Sequence, residues 1–303
     1  MVYTIMEYID GHIDYKQIKQ QPINMNDKIA KQKIINKMDI EYKPEDVIIS
    51  TMTITCKFPS KFNVVNIGKY IDLSRNGIVE VICGKDIFRS LIPKKNNSQK
   101  NKKEKKQFYN QTSLKINTKK DKLINIKLFI NGSIQMTGCK SIEGSTEALQ
   151  KLLSLLKIEK AIIDTKTFKL EDKPFVTNIS KMTMENLYDF KIVMINSNFN
   201  IGFLVDRYKL YKYMTKDNID ATYDPIIHAG VIMRYNAGDK IISVFIFEGG
   251  SIVITGARTC KHINDAYNFI NKYMLQNYKY VVKTNNLSNS TILKYLDEDF
   301  NSN

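Results

Sequence analysis

Residues Phe129 to Ser141, FINGSIQMTGCKS, are written a second time as FEGGSIVITGART from Phe247 to Thr259. Phenylalanine, glycine, serine, isoleucine, threonine and glycine recur at the same offsets. Strand-forming runs on either side of a short glycine turn describe a β-hairpin. The two copies start 118 residues apart, too far for a short repeat, so the repeating unit must be larger than the hairpin. Around each copy the same order recurs. VIISTMTITCK (47–57) reads as a strand, Lys61 to Leu73 as a helix with Phe62, Val65, Ile67 and Ile71 near one side, and IVEVICG after the turn Asn76-Gly77 as a strand. LINIKLFI and SIQMTGC make the hairpin, and Ala148, Leu149, Leu152, Leu153 and Leu156 give Thr146–Leu156 the spacing of an amphipathic helix. In the second half FKIVMI, a helix near Asp206 to Met214, GVIMRY, IISVFIFEGGSIVITGA and a helix from Asp265 to Leu275 follow in the same order. A solenoid needs about three or more repeats. Two long ones predict a pseudo-twofold domain in which each half covers the other's open sheet edge.

Charge modifies this picture at one place. Thirteen Lys and Arg stand against three acids between Gly84 and Lys122, which accounts for +10 of the net charge of +15. The middle of that segment, KKNNSQKNKKEKKQ, holds hardly any apolar residue to repay its ordering entropy. It reads as a solvated loop and, compatibly, as a flexible arm for DNA backbone or an acidic partner. The four cysteines form no CxxC pair, which argues against a zinc site or a disulfide framework and for a reducing compartment. No signal peptide is expected, and no apolar run reaches the ~18 residues of a membrane span. Nothing matches a Walker loop, GxGxxG, HExxH or a nucleophile elbow. The histidines His12, His228 and His262 are scattered. The expectation is therefore a non-enzymatic protein with no cofactor, no metal, no small-molecule ligand and no membrane contact.

The predicted organisation is an N-terminal extension (1–45) with a possible helix NDKIAKQKIINKM, a first repeat (46–157) carrying a basic insert (85–122), a linker (158–185), a second repeat (186–280) and a polar C-terminal tail (281–303).

Five stretches, taken in order, resemble the TATA-box-binding protein family. They are IISTMTITCK (48–57), the two hairpins, YDFKIVMINSNFNIGF (188–203) and YDPIIHAGVIMR (223–234). The resemblance implies an α+β fold: a pseudo-twofold saddle, with a curved antiparallel β-sheet of ten strands and four main helices on its convex face. It also implies that the concave face lies in the minor groove of AT-rich promoter DNA, where phenylalanines wedge between base steps and kink the duplex. On that basis the hairpin wedges are Phe129 and Phe247, and their partner positions hold Ile78 and His228. Two base-bonding asparagines fall on Val47 and Met194. Thr137 and Thr255 keep the central threonines, and Val253 keeps a groove valine whose counterpart is Gln135. Phe245 joins this surface, with Lys140, Arg234 and Arg258 as its basic positions, and Gly84 stands where a symmetric arginine is expected. Asp224 and Ile227, in the loop YDPII, fall where the family docks transcription factor IIB. The implied partners are double-stranded DNA, a transcription factor IIB-like protein and RNA polymerase machinery. Each of these residues also has a plainer structural reading, the phenylalanines as core and the threonines as strand formers.

The alternative function is a protein-interaction scaffold that keeps the fold, has lost TATA-specific bending and binds DNA only non-specifically through its basic insert. Abundant Ile, Asn and Lys fit an AT-rich genome, and divergent members of the family occur in large DNA viruses of eukaryotes. The expected location is thus intracellular, in the nucleus, viral factory or virion of an infected cell.

Overall fold

The computed structural model describes residues 3–9, 12–18, 43–93, 109–164 and 166–283. These fall into two compact units, one centred on Ile49–Ile195 and one running from Asn196 onward with residues 43–48. The predicted helix within 26–38, the KKNNSQKNKKEKKQ loop and the acidic part of the tail lie outside the described residues.

Unit one holds β1 (Tyr3–Ile9), β2 (His12–Ile18), β3 (Ile48–Lys57), α1 (Val64–Tyr70), β4 (Ile78–Cys83), β5 (Ile87–Ser90), β6 (Gln111–Thr118), β7 (Lys122–Phe129), β8 (Ser133–Cys139), α2 (Ile142–Leu156), β9 (Lys160–Ile163) and β10 (Leu170–Asp172). It ends in the first part of β11 (Tyr188–Asn200). The main sheet runs β11-β3-β8-β7-β6-β4-β5, with its described pairs antiparallel. Period-2 alternation creates the two faces. Met52, Ile54, Cys56, Leu114, Ile116, Ile124, Ile126, Leu128, Ile134 and Met136 point into a core closed by the helices. The intervening residues form a second, partly exposed face. On α2, Ala148, Leu149, Leu152, Leu153 and Leu156 are buried.

Unit two repeats this in shorter form. After the last part of β11 come α3 (Arg207–Lys216), β12 (Ala221–Thr222), β13 (Val231–Asn236), β14 (Ile241–Ile246), β15 (Ser251–Ala257), α4 (Cys260–Gln276) and α5 (Tyr278–Val281). Its sheet order is β12-β13-β14-β15-β11. Val244, Ile246, Ile252 and Ile254 face the core with Ile263, Ala266 and Ile270 of α4. The α+β class, with antiparallel sheets in one strand order written twice, agrees with expectation.

The duplicated glycine is demanded by both backbone and space. Gly132 has φ +86°, and a Cβ there would lie 2.5 Å from the carbonyl oxygens of Phe58 and Ser60. Gly250, at φ +79°, would meet the Phe203 carbonyl oxygen at 2.4 Å. Each hairpin turn is thus pressed against the strand-to-helix corner of its own unit, where only glycine fits.

Several predicted features are corrected. The segment 85–122 is not wholly an insert, because β5 and β6 lie within it and pair with β4. The region 158–185 is not only a linker: β9 pairs with β2 and with β10, making a second sheet β1-β2-β9-β10 that includes strands of the N-terminal extension. Val65 is exposed, since α1 buries Val64, Ile67, Gly68 and Tyr70 instead. α2 and α4 start earlier than periodicity suggested, because Ser141 and Thr259 cap them by accepting from the backbone of Gly144 and His262. Among the described residues no helix is long and apolar enough to cross a membrane.

Candidate nucleic-acid interface

Hydrogen-bond register, followed outward from each hairpin, shows which residues of the two units correspond. In unit two Phe245 pairs with Val253 and Ser243 with Thr255 across β14-β15, and Ile232 and Arg234 of β13 face Phe245 and Ser243. In unit one Lys127 pairs with Gln135 and Asn125 with Thr137 across β7-β8, and Ser113 and Lys115 of β6 face Lys127 and Asn125. The strand of unit one that corresponds to β13 is therefore β6. β4 takes the place of the two-residue β12.

This corrects the wedge assignment in unit one. Ile78 begins β4 and is 0% exposed, so it has no surface to offer a base step. In unit one the register puts a different residue at the position that stands beside the hairpin phenylalanine in unit two. His228 lies two residues before Gly230, whose would-be Cβ sits 3.2 Å from the Phe247 ring. Its own ring centroid is 5.1 Å from that of Phe245 and 5.8 Å from that of Phe247. The residue two before Gln111, which pairs with Phe129, is Tyr109. Tyr109 is 69% exposed, and its ring lies beside Gly84. Both hairpin phenylalanines thus have an aromatic residue at the partner position. Gly84 is likewise not the counterpart of Arg234; that is Lys115, whose ammonium pairs with Glu80 at 2.8 Å.

A second register shift affects the first strands. Phe58 donates to the carbonyl of Gly132 as Ile201 does to that of Gly250. Thr53, paired with Thr137, then corresponds to Asn196, whose Oδ1 accepts from the Thr255 hydroxyl. Val47 is fully buried and faces no groove.

The open faces consist of matching rows with different chemistry. One row reads Arg234, Ser243, Thr255, Asn196 in unit two and Lys115, Asn125, Thr137, Thr53 in unit one, polar and basic in both. The next reads Ile232, Phe245, Val253 in unit two and Ser113, Lys127, Gln135 in unit one. Apolar side chains on one face are replaced by polar ones on the other. All six are partly exposed on the face away from the helices.

Basic groups flank the rows. Arg234, Arg258 and Lys140 are exposed. Partial burial, and then the charge of Arg258, lower the pKa of the Lys240 ammonium, with Asp239 opposing them. The Lys140 and Arg258 amides are fixed differently. In unit one the buried carboxylate of Asp121 accepts from the Lys140 amide (2.8 Å), the Ser141 amide (3.0 Å) and the Ser141 hydroxyl (2.9 Å). In unit two an imidazole intervenes. His262 Nδ1 accepts from the Arg258 amide (3.2 Å), and Nε2 lies 2.9 Å from Asp239. His262 occupies the place of Gly144, where a Cβ would lie 2.2 Å from Asp121.

The loop predicted to meet a protein partner is exposed. Asp224 Oδ1 accepts from the Ile226 amide at 2.9 Å and its carbonyl accepts from Ile227 and His228, so the carboxylate shapes the turn. Ile226 and Ile227 project 94% and 82% exposed. The sequence reasoning missed Tyr109, Lys115, Lys127, Ile232, Asn196 and Ile226. Only Lys127 follows from the hairpin offset itself; β6 and β13 are one residue out of step with it, and the first strands further still, so Tyr109, Lys115, Ile232 and Asn196 needed the observed register. Among the described residues no cluster of three or more His, Cys, Asp or Glu is placed to hold a metal.

A model of the family described as transcription factor TFIID (or TATA-binding protein, TBP) matches residues 189–277. A "TATA-box-binding protein-like" protein of Acanthamoeba polyphaga mimivirus is 36% identical over 254 residues, 77% of this chain and 66% of the viral protein. The chain thus spans about two thirds of that relative's length. Among solved structures, Methanococcus jannaschii TBP aligns over 76% of this chain and 99% of its own, with 16% identity and a TM-score of 0.48. Taken together, the match in the second repeat and the extended identity to the viral protein show that this chain belongs to the TATA-box-binding protein family, as a divergent member related to that of mimivirus.

Proposed function

We propose that the protein is a transcription initiation factor that binds the minor groove of AT-rich promoter DNA through its open sheet faces and recruits transcription machinery. The observation that carries this reading is the face of unit two. An apolar row, Ile232, Phe245 and Val253, lies beside the aromatic pair His228 and Phe247 and is bordered by exposed Arg234 and Arg258. A·T pairs offer the minor groove acceptors and no donor, so apolar side chains can pack there without stranding a polar group. An aromatic edge at the end of the row supplies the wedge, whose unstacking cost is offset by the extra surface a bent duplex brings into contact. Arginines at the margin reach phosphates and fix position. In unit one Phe129 and Tyr109 form the corresponding edge, with Lys140 and Lys115 as basic groups. The exposed Asp224–Ile227 loop is the surface for a factor analogous to transcription factor IIB. The role requires no catalysis and no cofactor.

The test is binding and bending of AT-rich and GC-rich duplexes over a salt series, followed by fluorescence energy transfer between the duplex ends. The expected result is AT-selective binding with bending. The logarithm of affinity should fall with that of salt by about 0.9 per phosphate contact. Phe247→Ala should reduce bending and weaken binding roughly tenfold, a cost of about 1–2 kcal/mol, the order of one unstacked step. Weak, sequence-blind binding that vanishes when residues 94–107 are deleted would instead establish a scaffold with a basic arm.

A further inference from the structure

Building on the minor-groove reading, we infer that the two faces recognise different base chemistry: unit two requires A·T pairs, whereas unit one accommodates G·C pairs by hydrogen bonding. The protein then binds an asymmetric element in one orientation. The minor groove distinguishes G·C from A·T by one feature, the guanine N2 amino group, a donor that also projects into the groove. Against Ile232, Phe245 and Val253 that amino group finds no acceptor, and its bulk holds the base edge away from the sheet. At the same register in unit one stand Ser113, Lys127 and Gln135. The Ser113 hydroxyl and the Gln135 carboxamide oxygen accept, while the Lys127 ammonium donates to the pyrimidine O2 or to a phosphate.

The pattern of replacement separates altered reading from lost binding. Phe129, Thr137 and Lys140 are kept around the changed row. The position of Arg234 remains basic as Lys115, and that of His228 remains aromatic as Tyr109. A face released from DNA contact has no reason to confine polar substitution to the one row that meets base edges. Gln135 is the central specificity-determining residue on this view, because it sits on the hairpin strand between the row's other members and the strand β3, where Thr55 is its register partner.

The experiment uses the full chain and three duplexes: A·T in both halves, A·T in one half with G·C in the other, and G·C in both. A fourth has I·C in place of every G·C, which removes the N2 amino group and nothing else. The mixed duplex is expected to bind within about threefold of the all-A·T one, and the all-G·C one roughly tenfold or more weaker per pair facing unit two, a typical discrimination for one mismatched pair. The I·C duplex should recover the all-A·T affinity. Lys127→Phe with Gln135→Val should make the mixed duplex bind as poorly as the all-G·C one, and Val253→Gln should improve the all-G·C one. These side chains lie on the open face, so circular dichroism should show the variants folded. If the mixed duplex already binds tenfold more weakly than the all-A·T one and the double variant does not change that, the inference is overturned while the minor-groove reading stands. If all four duplexes bind alike, both fall.

Discussion

Asp121 and Asp239 occupy equivalent places in the two units and should differ greatly in their worth. Asp121 is buried and accepts three hydrogen bonds, two of them from backbone amides at the start of α2. Its charge also faces the positive end of the helix dipole. Bonds to a charged acceptor contribute about 1.5–3 kcal/mol each but do not add. Asp121→Ala should therefore cost about 3–5 kcal/mol, much of it from leaving the Lys140 and Ser141 amides without partners. Asp239 has a side chain 66% exposed and a single partner, His262 Nε2. Because solvent screens an exposed pair, Asp239→Ala should cost about 0–1 kcal/mol. Hydrogen exchange read by mass spectrometry separates the two units. Amides in the first turns of α2 should lose protection by two or more orders of magnitude in Asp121→Ala, and those of α4 should hardly change in Asp239→Ala. Equal losses in both variants would refute the reasoning, and so would an Asp121→Ala protein with unchanged protection. Gly144→Ala is the converse probe. Helix propensity alone predicts a gain of about 1 kcal/mol, but the overlap with Asp121 should reverse its sign.

Three further outcomes follow from particular contacts. Ile78→Ala should destabilise unit one by about 2–5 kcal/mol by opening a cavity, whereas Tyr109→Ala should leave the unfolding transition within about 0.5 kcal/mol of the parent and reduce DNA bending. The reverse pattern would restore Ile78 as the wedge. All four cysteines are buried. Burial, and then the charge of Asp121, pushes the Cys139 thiol up to about 12, and burial pushes Cys56 higher still. The folded protein should thus resist iodoacetamide at about pH 8 and react only in denaturant, and ready labelling of Cys139 in native buffer would contradict the packing around β8. The fully buried Lys160 ammonium pairs with Asp72 at 3.0 Å. Lys160→Met should cost about 3–5 kcal/mol in urea unfolding, and adding Asp72→Leu should recover most of it, since a buried pair is costly to break and cheap to replace whole.

The repeat, and with it the fold class, was legible because its signals are local. The turn glycine, the alternation of the hairpin strands and the leucines of α2 are set by backbone geometry within a dozen residues. What was not legible depended on pairing between distant segments. Nothing local distinguishes IVEVICG from QTSLKINT as the partner of β7; the first looks the better strand, and it is a strand, but it lies one position farther out. Charge counting made matters worse, because the lysines of β6 and of the turn before β7 were counted with the loop. Lys115, counted with that segment, is a strand residue paired with both β4 and β7. The N-terminal strands pair as a local hairpin with Asp10-Gly11 between them, a turn signal the sequence does carry; only their pairing with β9, more than 140 residues away, has no local pattern.

Pseudo-symmetry supplies what local pattern lacks. Once the two hairpins are superposed, each position in one unit has a counterpart whose environment is known, and a difference between counterparts acquires meaning. Gly144 and His262 show how such a difference is accommodated: the histidine fills the space, takes over the amide and pushes Asp239 out to solvent. That exchange lies on the buried side of the helix cap and preserves the same backbone. The exchange of Ile232, Phe245 and Val253 for Ser113, Lys127 and Gln135 lies on the open face and preserves no chemistry. Substitutions under a packing constraint compensate one another, whereas those on a face that meets a ligand change together toward what the ligand offers. The polar row of unit one differs from its counterpart at all three positions, across three strands, while the positions around it are aromatic or basic in both units. That is the pattern expected of a surface still in contact with something, and different in kind from its twin.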